Sequence, residues 1–142
     1  MDKPQVFYTA TATATGSGRD GHVATDDGLV EFDLATPKPG AAPTKTNPEQ
    51  LFAAGYAACF NSALQMTAKR EKSALTSAQV TAEVGIGQIS TGGFGLTVTL
   101  HVRTEGVDQD AAQDLAEMAH QVCPYSNATR GNIEVNLEVT AA

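Results

Sequence analysis

The chain has 142 residues, enough to bury a real core, and residues 1–142 are expected to form a single domain. Charged residues make up 18%, below the usual share of about a quarter, so part of the surface is expected to lie against a partner, another copy included. The formal net charge of −7 argues against nucleic acid and anionic membranes as partners, because both reward clustered Lys and Arg.

Residues 1–9 lack the basic-then-apolar pattern of an export signal, and the longest mostly apolar run, 51–60, is far short of the roughly 20 residues that cross a bilayer. The cytoplasm is therefore the expected location. In a reducing compartment Cys59 and Cys123 are more often free or redox-active than a structural crosslink.

The first alternation, Val6, Tyr8, Ala10 and Ala12 against Phe7 and the interleaved threonines, predicts a strand. Residues 16–21 break it, and 22–25 with 29–34 predict a hairpin turning at Asp27-Gly28. Residues 35–47 carry three prolines and no periodicity, which predicts a long connector. Asn47-Pro48-Glu49-Gln50 combines a capping residue, a proline suited to the first helical position and a capping-box glutamine. The helix it starts is expected to reach about Lys72, with Phe52, Tyr56, Cys59, Ala63 and Met66 forming one stripe. Strands are predicted over 80–89 and 96–102, joined through 90–93. A second helix begins at Asp108 or Asp110 and breaks at Cys123-Pro124, because proline disfavours helical geometry in the residue before it. A short polar segment, 125–130, precedes a last strand with Ile133, Val135, Leu137 and Val139 on one face. Strands that cluster rather than alternate with helices point to an α+β fold with a largely antiparallel sheet.

Each candidate for chemistry has two readings. Mid-helix Cys59 is a small core residue or a reacting thiol, and Cys123, at the helix break, is a loop residue or a thiol that can be reached. Sequence cannot bring two sites 64 residues apart within the roughly 7 Å that a disulfide requires. Zinc is disfavoured: His120 stands three residues before Cys123, but neither cysteine has a paired ligand spacing, so no metal is expected. Residues 16–21 match a dinucleotide fingerprint by letters alone. That motif needs a helix after it, yet residues 22–25 read as strand, so 16–21 are better taken as a turn carrying Arg19. No Gly-x-Ser-x-Gly elbow of a serine hydrolase occurs.

The segment Asn47-Pro48-Glu49-Gln50-Leu51-Phe52-Ala53-Ala54-Gly55-Tyr56-Ala57-Ala58-Cys59-Phe60 resembles the reactive-cysteine helix of organic hydroperoxide resistance (Ohr) proteins. Cys123-Pro124-Tyr125-Ser126-Asn127-Ala128-Thr129-Arg130-Gly131-Asn132 is similar to their resolving-cysteine motif. The resemblance spans essentially the whole chain and favours Ohr over the related OsmC group. It implies an OsmC-like α+β fold, with largely antiparallel sheets wrapped around a long central helix in an intertwined homodimer. It also implies a thiol peroxidase. Cys59 would take oxygen from an organic hydroperoxide and Cys123 would resolve the sulfenic acid as a disulfide. Re-reduction would come from an external dithiol such as dihydrolipoamide, on a lipoylated protein or as a small dithiol, with no bound cofactor. Arg19 matches the arginine that holds the thiolate, and Glu49 the carboxylate that orients that arginine.

Physical chemistry agrees that a cation is needed. A thiol near 8.5 is mostly protonated at neutral pH, burial raises it further, and helix-dipole help fades within the first turn. Arg19 supplies a charge that cannot be lost, and Glu49 can fix its aim through a bidentate bond. Glu49 and Cys59 are ten residues apart, about 15 Å along a helix, so Arg19 and Glu49 are expected to serve the Cys59 of a second subunit. Phe52, Tyr56 and Met66, sharing the stripe with Cys59, are expected to line an apolar entrance for alkyl or lipid hydroperoxides. Competing readings are an OsmC-type peroxidase of broader specificity, a thioesterase-like or binding module, which has no need of both cysteines, and a thiol redox sensor or scaffold, for which catalytic turnover with a dithiol should fail.

Overall fold

A computed structural model describes residues 2–142; Met1, where the N-terminal stretch begins, lies outside the described residues. The chain divides into two compact units, one ending at Pro48 and the other formed by Glu49–Ala142.

In the first unit, β1 (Ala12–Thr15), β2 (His22–Thr25) and β3 (Glu31–Asp33) form an antiparallel sheet in that order. The β2–β3 hairpin turns where Asp27-Gly28 predicts. Gly28 takes a φ of 74°, and Asp27 Oδ1 accepts from the Thr25 hydroxyl at 2.7 Å and the Leu29 N–H at 3.0 Å. The expected threonine-rich strand is shorter than its pattern. Its register ends at Ala12 opposite Thr25, where β2 gives way to the turn; the Thr11 carbonyl still accepts the Asp26 N–H at 3.0 Å, and among the described residues of this unit no strand pairs with residues 6–11. Between β1 and β2 a 3-10 turn, Gly18–Asp20, carries Arg19. It is braced through Asp20, whose carboxylate accepts the Thr36 N–H at 2.9 Å and the Thr36 hydroxyl at 3.0 Å, bonds that hold its pKa below the ordinary value. The 35–47 connector is closed at its ends by a parallel bridge between Leu34 and Thr46.

The second unit opens with α1 (Pro48–Arg70), starting at the expected proline and ending just before Lys72, which takes a φ of 52°. Next come β4 (Ser77–Gln88), β5 (Phe94–Glu105), α2 (Gln109–Val122), α3 (Pro124–Thr129) and β6 (Val135–Ala141). Asp108 caps α2, its side chain accepting from the Ala111 N–H. The polar segment expected over 125–130 is helical instead. Pro124 breaks the register after Val122 yet suits the first turn of α3, so the chain restarts a helix rather than entering a loop. The sheet runs β4-β5-β6, with β4 antiparallel and β6 parallel to β5. The parallel pairing is made possible by the helical crossover through α2 and α3. With three of its four strand pairings antiparallel, the α+β fold keeps the expected character.

The core of this unit joins Tyr56, Phe60, Ala63 and Leu64 of α1 to Val98, Leu100 and Val102 of β5 and to Leu115 and Ala119 of α2. The alternation along β5 is the one its sequence predicts. The buried face of α1 is not the expected stripe: it continues from Tyr56 through Phe60, Ala63, Leu64 and Thr67, while Met66 is 57% exposed. At 3.6 residues per turn, Leu64 lies about 80° around the helix from Tyr56 in one direction and Met66 about 80° in the other, and the buried face is on the Leu64 side.

Candidate active site

The fold brings Cys59 and Cys123 together. Both thiols are free, and Cys123 Sγ donates to Cys59 Sγ across 3.7 Å, so a bond of about 2.05 Å needs only a small closure. Their burial reverses the expected order. Cys59 is part-exposed, whereas Cys123 is fully buried in the core cluster. A break between two helices leaves the backbone irregular, but here it turns the side chain inward.

Burial pushes the Cys59 thiol above its usual range; the backbone N–H of Tyr125 pulls it back, and Cys123 raises it further. Tyr125 belongs to the first turn of α3, so the segment that delivers Cys123 also aims an amide at the sulfur of Cys59. Its ring packs at a tilt against Tyr56 and Phe52, 5.5 Å and 5.9 Å between centroids.

Beneath these rings lies a buried polar chain. Ser126 Oγ stands 2.7 Å from His120 Nδ1 and 2.8 Å from the Tyr56 hydroxyl, which also reaches Thr129 Oγ1 at 3.2 Å. Burial, and then the nearby Arg130, hold His120 below the ordinary histidine value. Arg130 is fastened by donating to the His120 carbonyl and to Asn127 Oδ1.

A pocket of about 680 Å³ is lined by Phe52, Phe94, Leu96, Tyr125, Thr129 and Ile133 among others; it meets the thiols through Pro124, next to Cys123, and Tyr125, whose N–H reaches Cys59, while neither cysteine is part of its wall. Of the residues expected at an apolar entrance, Phe52 lines it. Tyr56 lies beneath it, fully buried and hydrogen-bonded, and Met66 is not part of the wall. Arg19 sits on the 3-10 turn of the first unit, and Glu49 is buried in the first turn of α1. Phe94, Tyr125 and Ile133 lie beyond the reach of the stripe pattern because they come from a strand start, a short helix and a loop. Only an aromatic directly after the Gly92-Gly93 turn hints at Phe94 in the sequence. Among the described residues no helix is long and apolar enough to cross a membrane.

The family model of OsmC-like proteins matches residues 40–138. The organic hydroperoxide resistance protein of Xanthomonas axonopodis pv. citri is 52% identical over 141 residues, covering 96% of this chain and 98% of its own length. Among solved structures, an organic hydroperoxide resistance protein from Elizabethkingia anophelis with bound thiocyanate matches with a TM-score of 0.92 and 56% identity, over 98% of this chain and 100% of that one. The crystal structure of OhrB of Bacillus subtilis matches with a TM-score of 0.87 and 47% identity, over 95% of this chain and 100% of its own.

Proposed function

Since the chain belongs to the OsmC-like family and to its organic hydroperoxide resistance members, we propose that it is a cysteine peroxidase that reduces organic hydroperoxides to alcohols. The observation that carries this reading is a pair of free thiols 3.7 Å apart. A thioesterase or a simple binder needs no such pair.

In the first step the Cys59 thiolate attacks the terminal oxygen of the hydroperoxide. The S–O bond forms, the O–O bond breaks, and the alkoxide leaves as alcohol after taking a proton, so Cys59 becomes a sulfenic acid. Cys123 then attacks Cys59 Sγ, forming the S–S bond and expelling hydroxide, which leaves as water with the Cys123 proton. An external dithiol, of which dihydrolipoamide is the proposed example, returns two electrons by exchange through a mixed disulfide. Such thiol chemistry belongs in a reducing compartment, for which we propose the cytoplasm.

Cys59 needs help to ionise, because burial moves it the wrong way. The Tyr125 N–H is one source of that help. Arg19 is proposed as the cation and Glu49 as the carboxylate that orients it, as the family resemblance assigns them. The pocket supports a preference for alkyl chains: Phe52, Phe94, Leu96 and Ile133 offer apolar wall, and each buried methylene is worth about 0.8 kcal/mol. Exposed apolar side chains such as Phe7, Tyr8 and Leu29 support a homodimer in which a second copy covers them.

Stoichiometric treatment with an organic hydroperoxide, with intact mass and peptide mapping as the readout, tests the reading. The parent protein is expected to form the Cys59–Cys123 disulfide and to sediment as a dimer. Cys123→Ser should stop at a Cys59 oxyacid, and Cys59→Ser should consume no peroxide. Full peroxide consumption by Cys59→Ser sinks the proposal.

A further inference from the structure

We infer that a one-way hydrogen-bond chain, running from His120 through Ser126 and Tyr56 to Thr129, positions Cys123 against Cys59 for the disulfide-forming step. The inference rests on the peroxidase reading in one respect, that Cys59 and Cys123 are the reacting pair.

The chain's members are spaced around the thiols. Tyr56 lies three residues before Cys59 on α1, His120 three before Cys123 on α2, and Ser126 three after Cys123 on α3. Tyr56 and Cys59, three apart within α1, share a helix face, and the hydrogen bonds from Ser126 to Tyr56 and His120 fasten α1, α2 and α3 together close to that level. Tyr56 and Ser126 are fully buried, and Thr129 is 5% exposed. Buried hydroxyls must be matched partner to partner, because an orphan costs about 1–3 kcal/mol. This gives the contact a fixed geometry that apolar packing alone would not impose.

Counting protons fixes the direction. Each hydroxyl has one proton to give. Thr129 Oγ1 donates its proton to the Ser126 carbonyl at 3.2 Å, so toward Tyr56 it can only accept. Tyr56 therefore donates to Thr129 and accepts from Ser126, and Ser126, its proton committed to Tyr56, accepts from His120. His120 thus carries its proton on Nδ1. Protonating the ring adds a proton at Nε2 and leaves this donor in place, so the chain survives in either charge state.

Its consequence falls on Cys123. Cys123 stands where α2 ends and α3 begins, its N–H donating to the Ala119 carbonyl and its carbonyl accepting from the Asn127 N–H, so its place follows the relative setting of the two helices. Ser126 ties α3 to α1, and His120 ties α2 to the same oxygen. Cutting the chain leaves Cys59 seated in α1 but loosens the joint that presents its partner. Misplacement of reacting atoms by about 1 Å can cost as much as a hundredfold in rate.

The test separates this role from the peroxidase reading by using no peroxide. The full-length reduced protein is mixed with the aromatic disulfide dithiobis(nitrobenzoate). Cys59 thiolate displaces the first nitrothiobenzoate, forming a mixed disulfide, and Cys123 then displaces the second, closing the Cys59–Cys123 bond. Ser126→Ala and Tyr56→Phe are expected to slow the second release about tenfold or more, and the first release much less. His120→Asn, which keeps an amide nitrogen where Nδ1 stands, should restore what His120→Ala loses. Nitrogen–proton correlation spectra should show the His120 proton on Nδ1 in the parent and its movement toward Nε2 in Ser126→Ala. A second release at the parent rate in both variants, equal slowing of both releases, or a parent His120 protonated only on Nε2 overturns the inference while the peroxidase reading stands. A parent that never makes the second release overturns the thiol pairing, and the inference with it.

Discussion

The middle of α1 around Cys59 and the α2–α3 joint around Cys123 carry the same side chain on opposite kinds of backbone. Cys59 stands inside a continuous helix of 23 residues, its own backbone bonded into the helix ladder and its thiol part-exposed. Cys123 has an extended backbone, φ −65° and ψ 125°, with helices ending and beginning on either side, and its thiol is fully buried. The accessible sulfur is therefore on the stiff element and the hidden one on the jointed element. For a reaction in which one thiol meets an outside molecule and the other only closes on the first, that division suits each part. The rod holds the target still, and the joint supplies the small closure.

The largest effect should come from damaging the rod. Phe60, adjacent to Cys59, is fully buried against the core, and Phe60→Ala is expected to cost about 3–5 kcal/mol, a large share of a small domain's stability. At the joint, Pro124→Ala removes a restriction on the chain rather than a block of core, and should cost about 1 kcal/mol or less. Urea unfolding of both variants checks the pair. Equal losses would mean that the joint is as much a part of the rigid frame as α1, and the division between rod and joint would fail.

Legibility in the sequence divides along local and distant causes. The start of α1, the break at Cys123 and the Asp108 cap are local signals of capping and proline chemistry, and each stands where its residues predict. The inward face of β5 is equally local, since alternation fixes it two residues at a time. Features that depend on a distant partner depart from expectation. Residues 6–11 alternate like a strand but pair with none among the described residues of their unit, and Met66 extends a stripe that the helix carries off the core side. The exposure of the two thiols departs for a related reason: a helix break tells where the backbone bends, not which way the side chain turns. The polar chain is invisible in the sequence because it joins positions 56 and 120 to 126 and 129 across three helices, and no spacing rule links one helix to another.

Titration offers a finer distinction, since the joint contains a group that α1 lacks around Cys59. His120 is held low, by burial first and Arg130 second. Because its folded value lies below that of the unfolded chain, the unfolded chain takes up the proton first as pH falls. The stability contribution is present above about pH 6.5 and is lost as pH falls through the folded value. His22, on β2 in the first unit, is raised by its bonds to Asp33 and Glu31 and acts in the opposite sense: its contribution is present below about 6.5 and lost as pH rises. Urea midpoints measured across this range should show the acid-side loss shrink in His120→Asn and persist in His22→Asn. An acid-side loss undiminished in His120→Asn would mean that the joint is not one of the acid-sensitive parts.

The smallest expected effect lies where rod and joint touch. Gly55 faces the Tyr125 ring, and a Cβ there would stand 2.6 Å from its hydroxyl and 3.2 Å from two ring carbons. One of the two must give, and the ring is the free end of a side chain on the joint, whereas Gly55 is fixed in α1. Replacing glycine within a helix by alanine gains about 0.5–1 kcal/mol, and disturbing aromatic contacts loses about 0.5–1.5 kcal/mol, so Gly55→Ala should leave stability nearly unchanged. Its effect should appear at the pocket, because the displaced ring is part of the wall. Catalytic efficiency toward a bulky aromatic hydroperoxide is expected to change several-fold, chiefly through KM, and that toward a small alkyl hydroperoxide much less. A loss of several kcal/mol would show that Tyr125 cannot yield, making the joint stiff where it meets the rod. Equal changes for both substrates would show that the ring bounds no part of the substrate's path.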